Sequence, residues 1–146
     1  MWRQTVAALA LIAGAGTALA LDFRSVDVPA AVLYDAPSQK GKKLYLIRAH
    51  TPVEVVVKLE GWLKVRDAEG SLAWIEKRDL GERRTLIVTA PTAEIRQADK
   101  PDAAVLTTLE KWVVVDFLEA AAPGWAKVRH RDGSTGFVRA NQVWGL

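Results

Sequence analysis

Polar and apolar residues alternate along most of this chain, with a period of two. Residues 53–59, VEVVVKL, put Val53, Val55, Val57 and Leu59 on one face of a predicted strand. Gly61 breaks the run, and alternation then resumes. Leu63 and Val65 point one way; Trp62, Lys64 and Arg66 point the other. Residues 67–70, DAEG, read as a turn in which Gly70 can take a positive φ. Residues 72–75 form the return strand. Further on, residues 113–117, VVVDF, match the first apolar strand, and Asp132-Gly133 is a strong hairpin signal. No stretch after residue 20 shows a capped helical stripe. Residues 76–80 and 139–143 each suit one short 3₁₀ turn. Short strands with turns roughly every ten residues predict an all-β barrel or sandwich.

The pattern is stated twice. Residues 61–75 read GWLKVRDAEGSLAWI and residues 124–138 read GWAKVRHRDGSTGFV. They align without a gap, and the Trp positions (125 − 62) set the repeat at 63 residues. A repeat that keeps its hairpin means one small domain present in two copies. The boundary falls near residues 81–84, GERR, which gives domains at 21–84 and 85–146. No Ser- or Gly-rich linker separates them, so the copies are not expected to swing freely.

The first twenty residues read differently. Arg3 is a positive start, residues 5–15 are a short apolar run, and Ala18-Leu19-Ala20 places small residues before a cut. That order predicts a secretory signal, residues 1–20, cleaved before Leu21. A membrane anchor would need about 20 apolar residues; this run is shorter and holds Gly14 and Gly16. No later segment is apolar enough to span a bilayer. The mature chain is expected in the periplasm, without stable membrane insertion.

Composition narrows the chemistry. The chain has no Cys, so neither a disulfide nor a thiol nucleophile is available. Arg3 leaves with the leader, and the remaining 19 Lys and Arg face 17 Asp and Glu, a net charge of +2. That balance lacks the clustered basic stripe of a nucleic-acid binder. Residues 40–43, KGKK, read as a solvated loop. The two histidines, His50 and His130, fall in non-equivalent loops without zinc spacing or a matched nucleophile. No enzyme, metal or cofactor is expected.

The apolar strand, the Gly-Trp strand with its Lys-Val-Arg, the Gly turn and the closing Ala73-Trp74-Ile75 and Gly136-Phe137-Val138 resemble the bacterial SH3-like (SH3b) domain. Residues 31–38, AVLYDAPS, and 93–98, AEIRQA, resemble that family's opening strand, with Tyr34 standing where its Arg would be. The resemblance implies two small, partly open β-barrels of about five strands each. It also implies a binding role at the cell envelope, where many such domains help hold hydrolases on the wall.

Aromatic residues are then the candidates for recognition. Tyr34, Trp62, Arg66 and Trp74, with their second-copy counterparts Arg96, Trp125, Arg129 and Phe137, would line grooves for an extended peptide. Trp62 and Trp125 would lie half-exposed beside basic side chains, whereas Trp74 and Phe137 suit the core. Trp112 and Trp144 occur in only one copy and suit contacts between copies. Trp62, Lys64 and Arg66 recur in type as Trp125, Lys127 and Arg129, although outward positions have no packing reason to be held the same. The expected function is a non-enzymatic exported module recognising peptidoglycan peptide or an envelope protein. The alternative is a structural subunit of an envelope complex with no small ligand.

Overall fold

The computed structural model describes residues 20–146; the expected leader lies outside the described residues apart from Ala20. The alternating segments are strands. β1 (Phe23–Val26), β2 (Ala30–Tyr34), β3 (Lys43–Arg48), β4 (Pro52–Leu59), β5 (Trp62–Arg66), β6 (Leu72–Glu76) and β7 (Leu80–Gly81) form one sheet, in the order β3-β2-β6-β5-β4-β1-β7. β8 (Thr85–Val88), β9 (Thr92–Arg96), β10 (Val105–Glu110), β11 (Val114–Ala120), β12 (Trp125–Arg129), β13 (Thr135–Arg139) and β14 (Val143–Trp144) form a second, in the order β10-β9-β13-β12-β11-β8-β14. The second order is the first advanced by seven. Helix among the described residues is confined to two 3₁₀ turns, Lys77–Asp79 and Ala140–Gln142.

Each sheet therefore has seven strands, not the five expected. The additions are short. β1 and the two-residue β7 extend the far edge through Val26 opposite Leu80, and β8 and β14 do so through Val143 opposite Val88. Strands this brief carry too few residues to show a period in sequence.

Each copy closes over its own core. Val26, Leu33, Val53, Leu63, Val65 and Ile75 are the fully buried large side chains of the first; Leu86, Ile95, Val115, Val128 and Val138 fill the second. The second copy has Ala126 where the first has Leu63. Volume is restored on two neighbours. Leu86 replaces Arg24 opposite the equivalent valine, and Phe117 replaces Val55. Exchange at one core site is tolerated when another makes up the volume.

Two expectations about facing are corrected. Val57 and Leu59 do not share the inner face of Val53 and Val55; they are 40% and 48% exposed. The register slips between Val55 and Val57, so a bulge sets Val57 opposite the outward Lys64. The same slip recurs between Phe117 and Glu119. Trp74 and Phe137 are not core residues either. Ala73, Ile75, Gly136 and Val138 are buried, so the alternating Trp74 and Phe137 must turn outward, half-buried.

Gly136 has a steric role that its counterpart Ala73 does not share. A Cβ there would lie 2.7 Å from Ile95 Cγ2 and collide with the Arg96 carbonyl.

The connector is pinned at consecutive residues. The Ser25 hydroxyl donates to the Arg83 carbonyl at 2.7 Å, and the Thr85 hydroxyl donates to the His50 carbonyl at 2.6 Å. Arg84 lies between them. Its guanidinium is 5.5 Å from the Phe23 ring and 5.3 Å from the Phe117 ring, one from each copy, and donates to the Gly145 carbonyl at 2.7 Å. Trp144 packs edge-on against Phe23, with centroids 5.1 Å apart. Arg84 also acts as backbone. Its carbonyl accepts from the Phe117 amide, as the Asp22 carbonyl accepts from the equivalent Val55 amide.

Candidate functional site

The hairpins β5–β6 and β12–β13 build an outward face on each copy. In the first, Tyr34 is paired across the sheet with Trp74, and Trp74 with Lys64. Trp62 stands opposite Glu76 on the same face. The Tyr34 and Trp62 rings meet edge to face with centroids 5.4 Å apart, a favoured aromatic geometry. Tyr34 is buried beneath; Trp62 and Trp74 are half-buried. Glu76 closes the row, accepting from Gln39 and from Arg78 Nε at 2.8 Å. The Gln39 hydrogen bond, with help from Arg78, holds its carboxyl below the usual glutamate range against some desolvation.

The second copy uses the same positions differently. Arg96 replaces Tyr34 opposite Phe137, and Arg139 replaces Glu76 opposite Trp125. The Arg139 guanidinium lies 4.9 Å over the Trp125 ring, a cation–π contact in place of the first copy's aromatic pair. Arg96 is held by Glu94 and by the Ala103 carbonyl at 2.8 Å. One row is aromatic with an acid at its end; the other is aromatic with guanidiniums.

The retained Arg has a structural cause. Arg66 Nη1 reaches Glu54 Oε2 at 2.8 Å, and Arg129 Nη2 reaches Asp116 Oδ2 at 3.3 Å. Glu54 and Asp116 are the equivalent cross-strand partners. An outward position can thus be held constant by an acid on the next strand. This corrects the expectation that no such reason exists.

The histidines converge, contrary to what their separation in sequence suggests. A cavity of about 360 Å³ between the copies is lined by His50 and His130, and by Arg48, Arg83, Arg129 and Arg131. Its floor is Val113, Val114 and Val115, and its one carboxylate is Asp116. Arg83 grips that carboxylate with two bonds, Nε to Oδ1 at 2.9 Å and Nη2 to Oδ2 at 2.8 Å. Burial raises the Asp116 pKa, but Arg83 and then Arg129 more than offset this, and it ends below the usual aspartate value. The lining offers no Ser, Thr or Cys to act as nucleophile. Among the described residues, no three potential metal ligands converge.

A second cavity of about 310 Å³ is lined by Tyr45, Ile47, Asp67, Glu69 and Ile87, and shares Trp112 with the first. Trp112 sits at φ 73°, in the left-handed region, and its equivalent His50 sits at φ 67°. Both follow the last residues of an edge strand in the same turn. The His50 amide donates to the Val26 carbonyl and the Trp112 amide to the Val88 carbonyl, each at 2.8 Å.

Residues 27–82 and again residues 89–145 match the family described as the bacterial SH3 domain. The chain belongs to that family. Bacterial SH3 domains are binding modules, and this chain carries two in tandem. Among solved structures it is similar to NlpC2 from Trichomonas vaginalis, at 15% identity and TM-score 0.40, over 86% of this chain and 48% of that one. NlpC1 from the same organism gives 14% identity and TM-score 0.40, over 93% and 50%. An NlpC/P60 family protein from Bacillus cereus gives 18% identity and TM-score 0.38, over 84% and 55%. The chain spans about half the length of these structures. No curated protein matches it.

The tandem arrangement determines which site residues a sequence reading finds. Tyr34, Trp62 and Trp74 come together on the first bacterial SH3 domain; Arg96, Trp125 and Phe137 share the equivalent face of the second. Arg66 and Arg129 sit further along those strands, in ion pairs. The cavity between the domains was not anticipated. Its residues lie far apart in the chain, and the local signals were the basic runs Arg83-Arg84 and Arg129-His130-Arg131.

Proposed function

We propose that this protein is an exported, non-enzymatic tandem binding module of the bacterial envelope, acting in the periplasm on peptidoglycan peptide or an envelope protein. The observation that carries the reading is the pair of outward aromatic rows at equivalent positions, Tyr34/Trp62/Trp74 and Trp125/Phe137. Half-buried rings on a rigid sheet present broad contact area at little entropic cost. Capture of the mature protein on purified, protein-free sacculi, beside capture from envelope lysate, tests it. Trp62→Ala and Trp125→Ala together should weaken capture strongly, since truncating a central aromatic anchor typically costs about 2 kcal/mol or more. Wild-type capture by neither material, or capture indifferent to both substitutions, overturns the reading. Export is tested by intact mass: periplasmic protein should begin at Leu21, and a membrane-bound form retaining Met1 refutes cleavage.

A second reading, an assembly subunit with no small ligand, draws on the sheet edges. β3 and β10 are edge strands, and Leu46 and Leu106 on them are 68% and 49% exposed. Unpaired edges with exposed aliphatic side chains can add a strand from another chain.

A further inference from the structure

We propose that the space between the two domains binds a peptide carrying a free carboxylate and a free ammonium, laid across Trp112. The proposal rests on the reading of this chain as a peptide binder, but assigns a site apart from the outward aromatic rows.

The two cavities that share Trp112 have opposite charge. The first gathers four guanidiniums against one carboxylate. Arg83 and Arg129 are engaged by Asp116, whereas Arg48 and Arg131 have no carboxylate within salt-bridge reach among the described residues. Arg48 comes from the first domain and Arg131 from the second, so their charges meet only because the domains are docked. Nδ1 of His130, in the same lining, is sealed from solvent and lies 3.2 Å from Asp132 Oδ1 without the alignment of a hydrogen bond. A buried polar atom left in that state favours a partner. Two unpaired guanidiniums beside a valine floor suit a carboxylate with an apolar side chain next to it, because the Arg fork matches a carboxylate in two parallel bonds.

The second cavity has the opposite sign. Its lining holds Asp67 and Glu69 and no cation. Asp67 is committed to its turn and to the Tyr45 hydroxyl, at 2.9 Å. Glu69 is unpaired among the described residues and exposed, ready for an ammonium. Trp112 joins the two. It is 43% exposed, and its ring already accepts the Lys111 ammonium at 4.6 Å. An aromatic ring between an anion site and a cation site is a platform for the uncharged middle of a short peptide.

The test uses the mature protein and a series of alanine peptides of two to five residues. Each is supplied as the zwitterion, the N-acetylated form (carboxylate only) and the C-terminal amide (ammonium only). Binding is read by titration of the Trp112 indole resonance. The best zwitterion should bind at least about tenfold more tightly than either blocked form, the loss expected for one charge-assisted contact. Arg48→Ala and Arg131→Ala should each erase the advantage over the amide, and Glu69→Gln the advantage over the acetylated form. These three side chains are exposed, so the variants fold. Equal binding of the three forms, no binding by any, or binding unaffected by all three variants overturns the proposal. Zwitterion binding lost instead in Trp62→Ala and Trp125→Ala moves the ligand to the outward rows: the cleft fails and the peptide-binding reading survives. Failure of capture on sacculi and lysate alongside selective zwitterion binding removes the envelope reading and leaves the cleft.

Discussion

The two domains share a strand order and a bulge, and part company at equivalent outward positions. Where the first has Tyr34 and Glu76, the second has Arg96 and Arg139. The strand that carries Trp-x-Lys-x-Arg is common to both. Duplication has thus preserved what positions the face and varied what the face presents. The cores differ as well, but by compensated exchange. The first places its bulk at Leu63, the second at Leu86 and Phe117.

The strongest way to break this comparison is at Leu63. Leu63→Ala gives the first domain the second domain's residue without its compensation, and should destabilise by about 2–5 kcal/mol in chemical denaturation. Adding Arg24→Leu and Val55→Phe should restore at least half of that loss. No recovery would mean the cores are not equivalent solutions.

Next comes Gly136. Gly136→Ala copies Ala73 from the first domain, yet its Cβ meets the Arg96 carbonyl and Ile95. We expect a loss of about 1–3 kcal/mol from overpacking, read as a lower denaturation midpoint. The reverse change, Ala73→Gly, costs roughly 1 kcal/mol or less through backbone freedom.

Acid provides a smaller probe. Asp22 in the first domain and Asp116 in the second both titrate below the ordinary aspartate value. Asp22 owes this to Lys58 above all, and Asp116 to Arg83 and Arg129 acting against its burial. A depressed carboxyl stabilises the fold above its unfolded pKa, near 4, and that contribution disappears as pH falls through the folded value. Stability should therefore fall below about pH 4. Asp116→Asn should flatten part of that limb while costing under about 1 kcal/mol at neutral pH, because Arg83 and Arg129 are each 53% exposed.

The smallest effect on folding sharpens the comparison most. Glu76→Arg and Arg139→Glu exchange the ends of the two rows. Each should move stability by no more than about 0.5 kcal/mol, as surface changes do. Binding preference should nevertheless change between the domains, measured by capture with the other domain's Trp replaced by Ala. Unchanged preference would show that Trp62 and Trp125 alone decide recognition.

How far the sequence discloses this molecule depends on how local each feature is. The hairpin at Gly70 and its copy at Gly133, the inward Leu63 and Val65, and both 3₁₀ turns are local, and period and turn chemistry report them. The bulge after Val55 is hidden. Residues 55–57 are three valines, and nothing in that run marks where one drops out of register. Trp74 was misplaced because size suggested core, although alternation with Ala73 and Ile75 already pointed it outward. The cavity was invisible for another reason. His50 and His130 meet through the docking of two domains, which no pattern within either domain encodes.

The connector has a consequence for assembly. Glu82, Arg83 and Arg84 alone separate β7 from β8, so Gly81 and Thr85 can never be more than about 14 Å apart. A tether that short keeps each domain at a high effective concentration, millimolar or above, for the other. The contacts of Phe23, Arg84 and Trp144 can then be weak in absolute terms and still hold the pair docked. The same surfaces on two separate polypeptides, mixed at micromolar concentration, would remain apart. A protease cut after Glu82 would therefore scatter the arginines of the cleft while leaving each barrel's own core untouched.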